Sequence, residues 1–206
     1  MSVSIGIIDY EAGNLRSVIN AFKFLGFNAK LVKDCDEVLK FDKIILPGVG
    51  AFALAMEKLK TKLLDQAIIE FAASGKPFLG ICLGMQLLFD DSEEFGLSKG
   101  LGIIEGKVKK FDQNKMRDSL KIPHVGWNTI NFSKNSVINR NLKRSEYLYF
   151  VHSYHVVCDD KFALGYSEYG HKFVSAVCKD NIYGFQPHPE KSQDVGLKIL
   201  ENFGRL

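Results

Sequence analysis

The chain has 206 residues, 46% of them hydrophobic and 25% charged, with a net charge of +3. This balance supports a folded core and gives no electrostatic case for nucleic-acid binding. The N-terminus has no basic lead-in and its apolar run stops at Asp9, too short for a signal peptide or a membrane span, so the chain is expected in the cytoplasm.

In chain order, Val3 to Ile8 reads as a buried strand, and Leu15, Val18, Ile19, Phe22 and Leu25 fall at helical spacing up to a stop at Gly26. Phe27 to Val32 and Lys43 to Leu46 are the next strands, the second running into Pro47-Gly48-Val49-Gly50 and a loop. Leu63, Leu64, Ile68 and Phe71 share a helical face that breaks at Ser74-Gly75-Lys76-Pro77, and Phe78 to Ile81 is a fourth strand. Met85, Leu87, Leu88 and Phe89 then follow a helical pattern. After Gly96 the expected strands are shorter: 106–111, 127–132, 147–151, 154–158, 173–178 and 182–186, with polar loops over 112–121 and 133–145. Val195, Ile199, Leu200 and Phe203 mark a last helix. Strands alternating with helices imply an α/β fold: a single domain over 1–206 with a central, mostly parallel sheet, helices on both faces and an antiparallel extension.

The four cysteines, at 35, 82, 158 and 178, lack the C-x-x-C spacing of a zinc or redox site. A lone cysteine is most often a small buried hydrophobe, and Cys35, Cys158 and Cys178 read that way. Cys82 differs. Gly80-Ile81-Cys82-Leu83-Gly84 lies where a strand gives way to a helical pattern, which is the nucleophile-elbow arrangement with a thiol in place of a hydroxyl. Glycines on both sides permit the sharp turn, and the following helix start lowers the thiol pKa and offers the Leu83 N–H to an oxyanion.

A thiolate nucleophile needs a proton shuttle. In Gln186-Pro187-His188-Pro189-Glu190, prolines fix the backbone around His188 at a strand end, and Glu190, two residues on in an extended segment, points to the same side and sets the imidazole tautomer. His152 and His155 form an H-x-x-H spacing with no third ligand, and they read as strand or loop polar residues, with His124 and His171 as surface or structural ones. No metal or cofactor is implied. Gly48-Val49-Gly50-Ala51-Phe52-Ala53 matches a relaxed dinucleotide fingerprint, but the next strand ends in Gly80-Ile81-Cys82 without the acid that would hold a ribose. The loop reads instead as a backbone-donor turn facing the cysteine.

With these motifs in this order the chain resembles the class I, or triad-type, glutamine amidotransferases, and among them the glutaminase subunits of imidazole glycerol phosphate synthases. The resemblance extends through Ile8-Asp9-Tyr10, Ala12-Gly13-Asn14-Leu15, Leu46 to Phe52, Gly80 to Phe89, Ile122 to Asn128, Phe150 to Tyr154 and Pro187 to Ser192. It implies that Cys82 attacks the carboxamide of L-glutamine, with His188 as acid and base and Glu190 as its orienter. Gly48, Val49, Gly50 and Leu83 would form the oxyanion hole, and Gln86, Ser153 and Tyr154 would hold the glutamine. It also implies a heterodimer with a (β/α)8-barrel synthase that receives the ammonia through a channel, with Asn14, Tyr154 and Lys191 near the interface, and an oxyanion loop that must rearrange for full activity. Two positions depart from the family pattern: Glu11 stands where glycine is usual, and Pro187 where phenylalanine is usual. The alternatives are a paralogous glutaminase that supplies ammonia for amidination of a surface-sugar precursor, and a non-catalytic scaffold subunit.

Overall fold

In the computed structural model, residues 3–11, 13–116 and 120–206 are described; Ala12 of the N-terminal motif and positions 117–119 of the expected loop lie outside them. The first three strands and the helix between the first two form where the sequence implies. Strand β1 (Ser4–Ile8) leads to helix α1 (Leu15–Phe24), which ends at Gly26 with φ of 80°, a conformation that costs a residue without Cβ little. Strand β2 (Asn28–Val32) and the one-turn helix α2 (Cys35–Val38) follow, then β3 (Lys43–Gly48).

The segment after Gly50, expected as a loop, is instead helix α3 (Phe52–Thr61). Its buried residues, Phe52, Ala55, Met56 and Leu59, are at helical spacing, and its start is secured from far away: the Phe52 N–H donates to the Glu94 carboxylate at 2.6 Å. Helix α4 (Leu64–Ala73) and strand β4 (Phe78–Cys82) complete the pattern. The helix beyond Cys82 is also shorter than expected. It is a single turn, α5 (Leu83–Gln86), and Phe89 belongs to strand β5 (Phe89–Ser92), drawn out of helical register by pairing with β7 (Ile104–Lys110). A short β6 (Ser98–Lys99) lies on the other side of β5.

The second half supplies β8 (His124–Phe132), β9 (Ser145–His152), β10 (Tyr154–Val157), β11 (Ala163–Tyr169), β12 (His171–Lys179), β13 (Ile182–Phe185) and helix α6 (Gln193–Gly204). Strand β11 was not expected. Gly165 interrupts its apolar character, and the structure explains that glycine: a Cβ there would come within 2.9 Å of the Ile130 side chain on β8.

Among the described residues the strands join in one sheet, ordered β2-β1-β3-β4-β13-β12-β10-β7-β5-β6. From β2 to β13 the neighbours are parallel. Beyond β13 they are mostly antiparallel, and β12 also pairs with β11, which carries β8 and β9. The two-residue period of the strands divides the core between two faces. Ile5, Ile7, Ile45, Leu79 and Ile81 pack with α1 and α6, and Ile8, Ile44, Leu46 and Phe78 with α3 and α4. Among the described residues no helix is long and apolar enough to cross a membrane.

Candidate active site

Strand β4 ends at Cys82 with φ of 54° and ψ of −111°, a strained conformation for a residue with a side chain. The flanking glycines are required sterically. A Cβ on Gly84 would stand 1.7 Å from the Leu46 carbonyl oxygen, and one on Gly80 would stand 2.8 Å from that of Gly84. The strain holds the thiol at the carboxyl end of the parallel strands, the usual place for a site in an open α/β sheet. Leu83 follows as the first residue of α5, where a backbone N–H has no intrahelical acceptor.

His188 arrives from the end of β13, next to β4. Its backbone N–H donates to the Tyr149 carbonyl at 2.9 Å, its carbonyl accepts from the Ser192 hydroxyl at 2.6 Å, and the same hydroxyl accepts from the Tyr149 N–H at 2.9 Å. These bonds strap the His188 turn to β9. The imidazole Nδ1 donates to Glu190 Oε1 at 2.7 Å, with both side chains buried, and the Asn14 amide donates to the same carboxylate oxygen. Nε2 is buried without a hydrogen bond and feels the Cys82 sulfur. Burial alone would depress the His188 pKa, but the Cys82 thiolate and the Glu190 carboxylate outweigh it and raise the imidazole to about 10. The Cys82 sulfur itself lies 3.9 Å from the Val151 carbonyl oxygen.

A cavity of about 280 Å³ opens over Cys82, lined by Val49, Gly50, Leu83 and Gln86 on one side and by Val151 to Tyr154 on the other, with Glu94 and Pro123 at its edge. Of the residues expected to hold substrate, Gly48 lies one step behind the wall, paired in register with Cys82, and Val49, Gly50, Leu83, Gln86, Ser153 and Tyr154 line the cavity. Of those expected near an interface, Lys191 is exposed, Tyr154 is half-buried at the cavity, and Asn14 turns its amide onto Glu190.

The sequence reading missed Gln186. Wholly buried, it donates to the Cys82 sulfur at 3.7 Å and accepts from the Gln86 amide at 2.9 Å, while Gln86 also donates to the Tyr154 carbonyl at 3.0 Å. An uncharged polar residue ending an apolar strand next to His188 was the available signal. His152 and His155, read as strand or loop polar residues, lie in β9 and β10 and are buried, as is His124, read as surface or structural. His124 Nδ1 and His152 Nε2 are 2.9 Å apart, and His152 Nδ1 is 2.8 Å from the Tyr154 carbonyl. That carbonyl can only accept, so His152 carries its proton on Nδ1 and takes one from His124 on Nε2. Among the described residues no group of three or more His, Cys, Asp and Glu is arranged to hold a metal ion.

Comparison with known proteins gives the family. The family model for class-I glutamine amidotransferases matches residues 6–205. The imidazole glycerol phosphate synthase subunit HisH of Sulfurimonas denitrificans is 56% identical over 200 residues, covering 97% of this chain and 96% of that protein. The subunit of the same name from Methanocaldococcus jannaschii is 48% identical over 202 residues, covering 98% and 99%. Among solved structures, PurLQS from Thermotoga maritima superposes with a TM-score of 0.76 at 20% identity, over 98% of each chain, a likeness of fold. An elbow cysteine, a buried histidine–glutamate pair and a family match over nearly the full length lead to one conclusion: the chain belongs to the class-I glutamine amidotransferases, with the HisH subunits of imidazole glycerol phosphate synthase among its relatives.

Proposed function

We propose that this chain hydrolyses L-glutamine to glutamate and ammonia through a thioester on Cys82 and delivers the ammonia to a (β/α)8-barrel synthase subunit that makes imidazole glycerol phosphate in histidine biosynthesis. The observation that carries the reading is the Cys82 sulfur at the cavity wall with the His188–Glu190 pair behind it. The thiolate adds to the carboxamide carbon, and the tetrahedral oxyanion is met by the Leu83 N–H and by donors of the Gly48 to Gly50 loop. As the C–N bond breaks, the His188 imidazolium gives its proton to the nitrogen, and ammonia leaves. The neutral imidazole then takes a proton from water, whose oxygen attacks the thioester; the C–S bond breaks, glutamate departs, and thiolate and imidazolium are restored. Glu190, steadied by Asn14, keeps the ring oriented through both proton transfers. Gln86, Ser153 and Tyr154 hold the glutamine, and Asn14, Tyr154 and Lys191 lie towards the synthase.

The names of the relatives favour the histidine pathway over surface-sugar amidination. A chloroketone analogue of glutamine should label Cys82 alone, and glutamate release in the presence of the barrel subunit should fall at least about 10³-fold in Cys82→Ala. Labelling at another cysteine, or undiminished turnover in the variant, would refute the reading.

A further inference from the structure

Tyr10 is 1% exposed, and its hydroxyl is buried without a hydrogen-bond partner. Such an orphan is uncommon in a folded protein and asks for an explanation. The ring packs in the same core cluster as Leu46, Phe52 and Leu83, and its hydroxyl fills the space where Gly48 has no side chain: a Cβ on Gly48 would stand 2.3 Å from the Tyr10 oxygen. Tyr10 does not line the cavity over Cys82. It lies behind Gly48, while Val49 lies in front, on the cavity wall.

The N–H and C=O of one trans peptide point in opposite directions. If the Val49 N–H is to face the oxyanion on the cavity side, the Gly48 carbonyl of the same peptide must point into the protein, where Tyr10 stands. There it needs a donor. In the present state the Tyr10 hydroxyl bonds to nothing, so the Gly48 carbonyl is not on it. Glycine at 48 leaves the peptide free to turn. We propose that Tyr10 is a positioning residue for the oxyanion hole: its hydroxyl donates to the Gly48 carbonyl when the Gly48–Val49 peptide presents the Val49 N–H to the substrate. Burial, with the Cys82 charge nearby, pushes the phenol pKa above its usual value, so the donor proton is retained throughout the working range.

This inference rests on the glutaminase reading, and Tyr10→Phe tests it in the full chain with its barrel subunit. The variant should lower kcat for glutamine at least about tenfold with KM within about twofold, the pattern of an interaction made only in the transition state. Because the hydroxyl is an orphan in the resting state, Tm should stay the same or rise. Alkylation of Cys82 by iodoacetamide, which needs no oxyanion hole, should keep the wild-type rate. An unchanged kcat, or a kcat lost in step with Tm, would overturn the inference while wild-type turnover stands. No glutamate from the wild-type complex would overturn the glutaminase reading and this inference together.

Discussion

At the scale of single residues, the site is governed by the charge on one ring. The His188 pKa is raised although burial opposes it, so the proton on its imidazole is held by Cys82 and Glu190. Cys82→Ala removes the first of these, and burial should then draw the pKa well below 10, as a titration of the His188 ring followed by NMR would show. A value still near 10 in the variant would mean that Glu190 alone holds the proton. The sign of the linked stability follows. A folded-state pKa above the unfolded value of about 6.5 stabilises the protein fully below that pH, and the contribution is lost as pH rises towards about 10. The Cys82 elbow and the His188–Glu190 contact are legible in the sequence because a glycine-flanked cysteine at a strand end and a proline-framed histidine are local patterns. The Asn14 contact with Glu190 was not, since it joins residues 176 positions apart.

At the scale of elements, long-range contacts decide what local pattern leaves open. Pro47-Gly48-Val49-Gly50 reads as the start of a loop, and the Ala51 N-cap that opens α3 offers no side-chain acceptor; Glu94 supplies one from across the chain. Phe89 reads with Leu87 and Leu88 as helix because an apolar run suits either structure, and pairing of β5 with β7 decides. The C-terminus of α6 is served in a similar way. The buried Lys43 ammonium at the start of β3 donates to the Gly204 carbonyl at 2.6 Å, and this charge complements the negative end of the helix. Lys43→Ala should therefore cost about 1.5–3 kcal/mol, seen as a Tm lower by about 2–4 °C for each kcal/mol. A variant as stable as the parent would show that the bond contributes nothing net.

At the scale of the whole molecule, three buried imidazoles act against folding in acid. Burial lowers His124 to about 4, His152 to about 3 and His155 to about 4, with His171 and Lys109 adding repulsion at His155 and Glu93 opposing it. A depressed histidine is neutral when folded and takes up a proton when unfolded. The contribution of these three rings is thus complete above about pH 6.5 and falls as pH drops towards 4, with a limiting slope for three protons of about 4 kcal/mol per pH unit. Thermal unfolding between pH 7 and pH 4.5 measures this; a flat Tm down to pH 5 would mean that the rings are not buried in the neutral form. Strand β12 carries a consequence of another kind. It pairs with β13, the neighbour of β4, with β10, which begins at Tyr154, and with β11. The strand beside β4 and the strand that begins at Tyr154 thus hang on one shared post, so Cys82 and Tyr154 cannot be drawn apart without breaking its ladders.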